Sequence, residues 1–167
     1  QRLSRTLRAG TPVLGSCRGH QLATVALGGQ VCTSDHFCLG AAEMHLTPEG
    51  KKDPLLSVYD GHRGIHFNND VAVVLPEDAV LLARDPTGQI EAVRFAERAW
   101  GVQFHPECTP EIFDAWTIGH GEKEWQQRLP WSEAVTVAET VRRDIDTVNA
   151  EEAFAARFQE LIDPEKR

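Results

Sequence analysis

The sequence has no apolar run approaching the roughly 18 residues needed to cross a bilayer, and its first residues carry no signal-peptide pattern. It reads as a soluble protein. Positive charge is also in short supply: 17 lysines and arginines face 25 aspartates and glutamates, for a formal net charge of -8. With no local basic patch, that balance repels a phosphate backbone, so nucleic acid is excluded as a direct partner. It suits a cytoplasmic protein. The four cysteines, Cys17, Cys32, Cys38 and Cys108, contain no C-x-x-C pair. An 18.6 kDa chain does not need disulfides, which again points to the reducing cytosol. Cys17, His20, Cys32, His36 and Cys38 match none of the common zinc-ligand spacings, so no metal is expected. Internal repeats and low-complexity segments are absent as well.

What is present is an ordinary globular composition. Of 167 residues, 41% are hydrophobic, enough for one domain with a sizeable core. Residues 1 to 10 resemble the end of a helix, with Leu3 and Leu7 on one face and Gly10 as its stop. The chain opens on Gln1, as though partway through a domain. Thr11 to Ser16 contains a short apolar strand, and Gln21 to Leu27 places Leu22, Val25 and Ala26 at helical spacing. Gly28 and Gly29 end that helix before a strand at Gln30 to Thr33. Strand, tight turn, helix and strand within about 20 residues indicate an α/β unit with a mostly parallel sheet. Further strands are predicted at Val71 to Val74, Val80 to Ala83, Ile90 to Phe95 and Trp100 to Phe104. Gly119 to Trp131 reads as a surface linker. From Ser132 to Ile162 the pattern is helical, with one apolar stripe of Val135, Ala138, Val141, Ile145 and Val148 and a second of Phe154, Phe158 and Leu161.

The stretch Gly15-Ser16-Cys17-Arg18-Gly19 sits at the predicted junction of strand and helix. A residue at the tip of such a turn adopts a strained backbone and small neighbours let the turn close, as in the nucleophile elbow G-x-S-x-G. Here a thiol replaces the hydroxyl. The helix that follows directs its N–H groups and positive dipole end at the sulfur, favouring thiolate, and offers the Arg18 N–H to a developing oxyanion. A small buried hydrophobe in a glycine-rich turn is the plainer reading of Cys17. A nucleophile also needs a base.

Ala99 to Glu107, AWGVQFHPE, supplies one. In an extended chain residues two apart share a side, so His105 and Glu107 face the same way, and Pro106 biases His105 toward extended geometry. A carboxylate beside an imidazole selects its tautomer and stabilises the imidazolium formed on proton uptake. Cys17, His105 and Glu107 can therefore act as a triad. Their chain order differs from that of an α/β-hydrolase, which runs nucleophile, acid, histidine.

These two motifs resemble those of class I glutamine amidotransferases: PVLGSCRGHQLATVALGG is similar to the nucleophile motif and AWGVQFHPE to the histidine-glutamate motif. TPEGKKDPLL and NNDVAVVLPEDAVLLARD also resemble the free-standing, GMP-synthase-like branch, so the likeness runs from about Leu7 to Trp116. The resemblance implies an α/β, flavodoxin-like open sheet, mostly parallel and flanked by helices. It also implies a partial amidotransferase domain over residues 1–118, lacking its first strands and the glycine-rich loop that gives a second oxyanion donor. Residues 119–167 then form a linker and a helical extension packing on it. The activity implied is hydrolysis of the glutamine side-chain amide by Cys17, with His105 shuttling protons and Glu107 orienting it, through a glutamyl thioester. Arg18, Gly19 and Gln21 would help hold L-glutamine, no cofactor is required, and the ammonia would pass to a synthase or ligase, as a domain or separate chain. Asn68-Asn69-Asp70 stands where relatives often carry His-Gly-Asp, and Ser16 stands where an apolar residue is usual. A γ-glutamyl hydrolase of the same fold and a non-catalytic regulatory domain are the competing readings.

Overall fold

A computed structural model of the chain describes residues 2–117, 130–148 and 150–163. Its order is α1 (Arg2–Arg8), β1 (Val13–Ser16), α2 (Arg18–Ala26), β2 (Gln30–Glu43), β3 (His45–Leu46), α3 (Pro48–Lys52), a 3-10 turn (Leu56–Tyr59), β4 (Arg63–Val74), β5 (Val80–Arg84), β6 (Ile90–Ala96), β7 (Ala99–Val102), α4 (Pro110–Trp116), α5 (Trp131–Val148) and α6 (Glu151–Ile162). Five strands form an open sheet in the order β1-β7-β6-β5-β3, and β2 and β4 form a separate two-stranded ribbon. Among the described residues no helix is long and apolar enough to cross a membrane.

The first strand and the first motif set the centre of this architecture. β1 runs parallel to β7, with Val13 opposite Ala99 and Ser16 opposite Val102. That register brings the two motifs predicted to carry chemistry side by side at the same end of neighbouring strands. The other described pairs are antiparallel. Short turns explain two of them, β5–β6 and β6–β7: β5 and β6 are joined across Asp85, whose carboxylate accepts from the backbone N–H groups of Thr87 and Gln89 at 2.9 and 2.8 Å, while Gly88 takes φ +92°. So short a link returns the chain antiparallel, whereas parallel neighbours need a long crossover. The parallel part of the sheet is thus the pair on which Cys17 sits.

α2 lies against β1 and β7 in an orientation that its apolar pattern does not foretell. Leu22 and Val25 are more than half exposed, and the buried side chains are His20, Gln21, Ala23 and Thr24. The start of the helix is anchored at Cys17, so its rotation follows from the turn rather than from the apolar stripe. Gly101 of β7 makes the close packing possible, because a Cβ there would lie 2.5 Å from His20 Nδ1. In α1, similarly, Leu7 is buried and Leu3 is exposed.

β2 and β4 extend well beyond the short strands expected at Gln30 to Thr33 and Val71 to Val74. The register shifts between Thr33 and Cys38, so the polar stretch Ser34-Asp35-His36 bulges where a strict alternation would show. Two short helices come from cap chemistry: Thr47 accepts from Gly50 N–H ahead of Pro48, and Thr109 accepts from Ile112 N–H ahead of Pro110. The C-terminal helical region is two helices rather than one. α5 buries Ala138, Val141 and Ile145 against Ile65, Cys108 and Phe113, while α6 buries Phe154 against Tyr59 and Phe104. Phe158 and Leu161 pack at the rim of that second cluster. The side chain of Val148, and residues 119–129 of the predicted linker, lie outside the described residues.

Candidate active site

Cys17 follows β1 directly and caps α2 with φ 44° and ψ -103°. Among the described residues it alone has a positive φ without being glycine. A side chain pays a steric penalty there of about 1 to 3 kcal/mol, held in place only by surrounding contacts. Two contacts are backbone hydrogen bonds, Cys17 N–H to Val102 O at 2.7 Å and Gln21 N–H to Cys17 O at 3.0 Å. Gly15 is required by space: a Cβ on it would come within 2.6 Å of the Gly19 carbonyl carbon. Gly19 itself meets nothing within 4 Å at its Cβ position, so packing does not explain that glycine.

His105 follows β7, its N–H donating to Ile65 O at 2.8 Å. Its Nδ1 lies 2.8 Å from Glu107 Oε1, and its ring stacks at a tilt on Trp116 with centroids 4.5 Å apart. Ser16 Oγ donates to the same Glu107 oxygen at 3.3 Å. The buried Nε2 of His105 makes no hydrogen bond among the described residues. Burial alone would lower the His105 pKa, but interactions with the Cys17 thiol and the Glu107 carboxylate outweigh it and raise the value to about 9. Burial raises the Glu107 carboxyl, and the hydrogen bonds from His105 and Ser16 more than offset that, leaving it below the usual range.

Cys17, Arg18 and Gln21 line a cleft of about 540 Å³ whose opposite wall is the ribbon, with Asp35, Asn68 and Asp70 among its residues. Asp70 is held by Thr33 Oγ1 at 2.8 Å and faces Arg18 Nη1 at 3.6 Å. Gln21 Nε2 donates to Asp70 O at 2.7 Å and to Gln103 Oε1 at 3.3 Å. Gln103 Nε2 in turn stands 3.6 Å from Cys17 Sγ. His105 is not among the residues lining this cleft, and Glu107 lines a second groove of about 680 Å³ with Leu14, Ser16 and Phe154. Cys17 therefore opens on the cleft, while Glu107 and the neighbouring Ser16 line the second groove.

Sequence reasoning does not single out Ser16, Trp116, Asp70 or Gln103 as site residues. The motif AWGVQFHPE contains Gln103, yet only the fold brings Gln21 to its side chain. Among the described residues no three His, Cys, Asp or Glu side chains are gathered in a way that could hold a metal ion.

Residues 1–119 match the family model described as glutamine amidotransferase class-I. The chain belongs to that family. This amidotransferase domain is 37% identical over 115 residues to the glutamine-hydrolyzing GMP synthase of Marinobacter nauticus, a match covering 60% of the chain and 20% of that protein. It is 32% identical over 101 residues to a glutamine-hydrolyzing GMP synthase subunit of Methanothermobacter thermautotrophicus, covering 58% of the chain and 51% of that protein. In fold it is similar to a glutamine amidotransferase of Thermotoga maritima, with a TM-score of 0.73 at 18% identity over 97% of the chain and 66% of that structure. A glutamine amidotransferase of Methylobacillus flagellatus gives a TM-score of 0.73 at 21% identity, covering 95% and 66%. The amidotransferase domain is thus GMP-synthase-like with the flavodoxin-like open sheet of its family, and it spans between a fifth and a half of the two GMP synthase proteins.

Proposed function

We propose that the chain performs the glutaminase half-reaction of a glutamine amidotransferase, with Cys17 as nucleophile, His105 as proton carrier and Glu107 as the group that orients it. One observation carries the reading: Nδ1 of His105 is committed to Glu107 at 2.8 Å, the buried Nε2 has no hydrogen bond among the described residues, and Cys17 is tied by its N–H to Val102 O at 2.7 Å, three residues before His105. Once it has given up a proton, an imidazole so held has one tautomer, and Nε2 is the nitrogen that exchanges the proton. The strained turn at Cys17, read as a nucleophile elbow, supports it.

In this mechanism the proton already rests on His105, whose imidazolium persists up to about 9, and the Cys17 sulfur attacks as thiolate at the side-chain carboxamide carbon of glutamine. The Arg18 backbone N–H, in the first turn of α2, offers one donor to the oxyanion. Collapse breaks the carbon–nitrogen bond, and His105 gives the proton to the departing nitrogen, which leaves as ammonia. Water then gives a proton to His105 as it attacks the glutamyl thioester, and the carbon–sulfur bond breaks to free glutamate and the thiolate. Around the α-carbon, the cleft offers Arg18 to a carboxylate and Asp35 and Asp70 to an ammonium. Gln21 lines the cleft, and the resemblance implies that it and Gly19 help hold the substrate. The family reading, together with relatives that are subunits of a GMP synthase, supports a synthase as the ammonia-using partner.

Ammonia release from L-glutamine, followed alongside labelling of Cys17 by a glutamine-like electrophile, tests the proposal. Cys17→Ala is expected to abolish both. Release at the parent rate from that variant overturns the role of Cys17, and cleavage of γ-glutamyl peptides with L-glutamine untouched selects a γ-glutamyl hydrolase instead.

A further inference from the structure

Gln103 is fully buried immediately after β7, one residue beyond the strand that pairs with β1. Its backbone N–H donates to Glu91 O at 2.8 Å. The Glu91 side chain is itself buried, bound by His66 Nε2 at 2.7 Å and by Gln89 Nε2 at 3.1 Å. Burial works against a charged His66, but the Glu91 carboxylate and the Gly64 carbonyl outweigh it and hold the imidazole above its usual value. Gln103 thus hangs from a rigid buried pair, and its side chain crosses toward α2.

The direction of its amide follows from the neighbours. A backbone carbonyl can only accept, so the Gln21 atom 2.7 Å from Asp70 O is a nitrogen. The Gln103 atom facing that nitrogen must then be the oxygen, which leaves the Gln103 nitrogen as the atom 3.6 Å from Cys17 Sγ. An unbroken chain of hydrogen bonds from Asp70 therefore dictates that the sulfur meets an N–H.

We propose that Gln103 is a further participating residue, whose side-chain amide donates a hydrogen bond to the Cys17 sulfur and stabilises it when it carries negative charge. In the reaction steps this rests on the glutaminase reading, whereas the thiol contact itself does not. A hydrogen bond to an ionised acceptor is about twice as strong as one between neutral groups. A thioester sulfur carries no such charge, so the interaction is strongest before attack and again as water expels the sulfur. Gln21 acts one step removed, as a positioning residue that sets the polarity of Gln103.

Reaction of Cys17 with iodoacetamide, a small neutral electrophile indifferent to the glutamine subsite, reads this donor directly. Gln103→Met keeps the bulk of the side chain and removes the N–H. It is expected to slow alkylation at neutral pH by about tenfold or more, in line with a lost hydrogen bond to a charged group, and to move the rate profile to higher pH. Gln21→Glu leaves Gln103 in place but removes the N–H that orients it, so the Gln103 nitrogen turns to the new carboxylate and alkylation slows likewise. An effect of the new charge alone would slow the Gln103→Met/Gln21→Glu double variant below Gln103→Met and overturn this step, whereas an effect that runs through Gln103 adds nothing in that background. Alkylation at the parent rate in either single variant overturns the proposal. If Gln103→Met does not fold, as judged by thermal unfolding, Gln103→Asn decides, because it withdraws the donor by one methylene and must slow the reaction. A parent chain that is alkylated in this pattern yet releases no ammonia from L-glutamine sinks the glutaminase reading and leaves the donor standing.

Discussion

His105 Nδ1 and Glu107 Oε1 lie 2.8 Å apart, with Pro106 between them in the chain. Proline fixes its own backbone and holds the preceding residue extended, so two side chains two residues apart are kept on one side without help from distant packing. Ser16, arriving from β1, adds a second donor to the same carboxylate oxygen. The local sequence thus builds the pair, and the parallel β1–β7 register delivers it to Cys17.

The pair has a titration consequence. The folded imidazole titrates at about 9 against an ordinary 6.5, raised by Cys17 and Glu107 over the opposing effect of burial. Its contribution to stability is fully present below 6.5 and is lost as pH rises through about 9. Proton-resolved NMR should place the His105 midpoint near 9, with Glu107→Gln and Cys17→Ala each lowering it. The loss of thermal stability across the same alkaline range should be smaller in Glu107→Gln. Under the proposed mechanism, ammonia release also declines above about 9, where the imidazolium that protonates the departing nitrogen disappears. An unchanged midpoint in both variants would contradict the electrostatic account.

The turn at Cys17 makes a different prediction. Its φ of 44° is costly for any residue with a Cβ and nearly free for glycine, so Cys17→Gly should be more stable than Cys17→Ala by about 1 kcal/mol, although both lack the thiol. The flanking glycines should behave oppositely to one another. Gly15→Ala drives a methyl group into the backbone at Gly19 and should strongly destabilise the chain. Gly19→Ala, in open space within α2, should stabilise it by about 0.4 to 1 kcal/mol. Denaturant titration of the four variants gives the order directly, and a destabilised Gly19→Ala would show that the turn tolerates no Cβ at that position either.

Much of this molecule can be read before any coordinates, and the exceptions share a cause. β1, β5, β6 and the two motifs announce themselves because each is local: an apolar run, a turn residue, an i, i+2 pair. The inward face of α2 does not, because anchoring at Cys17 turns His20 and Gln21 to the interior and leaves Leu22 and Val25 in solvent. The ribbon is long because β2 and β4 support each other across the bulge, a pairing invisible in Ser34-Asp35-His36 alone. Gln103 is hidden for the same reason: its orientation depends on Gln21, 82 positions away.

His20 offers the sharpest test of that inverted helix. It is fully buried between α2 and the sheet, beside Phe95 and over Gly101, and both ring nitrogens lack hydrogen-bond partners among the described residues. Burial without a counter-charge disfavours the imidazolium and lowers its pKa from 6.5 to about 4. Between those values the unfolded chain binds a proton that the folded chain refuses, so stability is present above 6.5 and lost as pH falls toward 4. The shift corresponds to a loss on the order of 3 kcal/mol across that interval. His66 and His105, whose folded values are raised, have little further stability to gain once the pH is well below 6.5 and so do not mask the trend. Replacing the ring with a group that cannot titrate removes the proton linkage while keeping the volume. Denaturant unfolding of His20→Leu at steps from neutral to acid pH should therefore show a much flatter decline than the parent. A variant as acid-sensitive as the parent would mean that the helix does not turn this imidazole into the core.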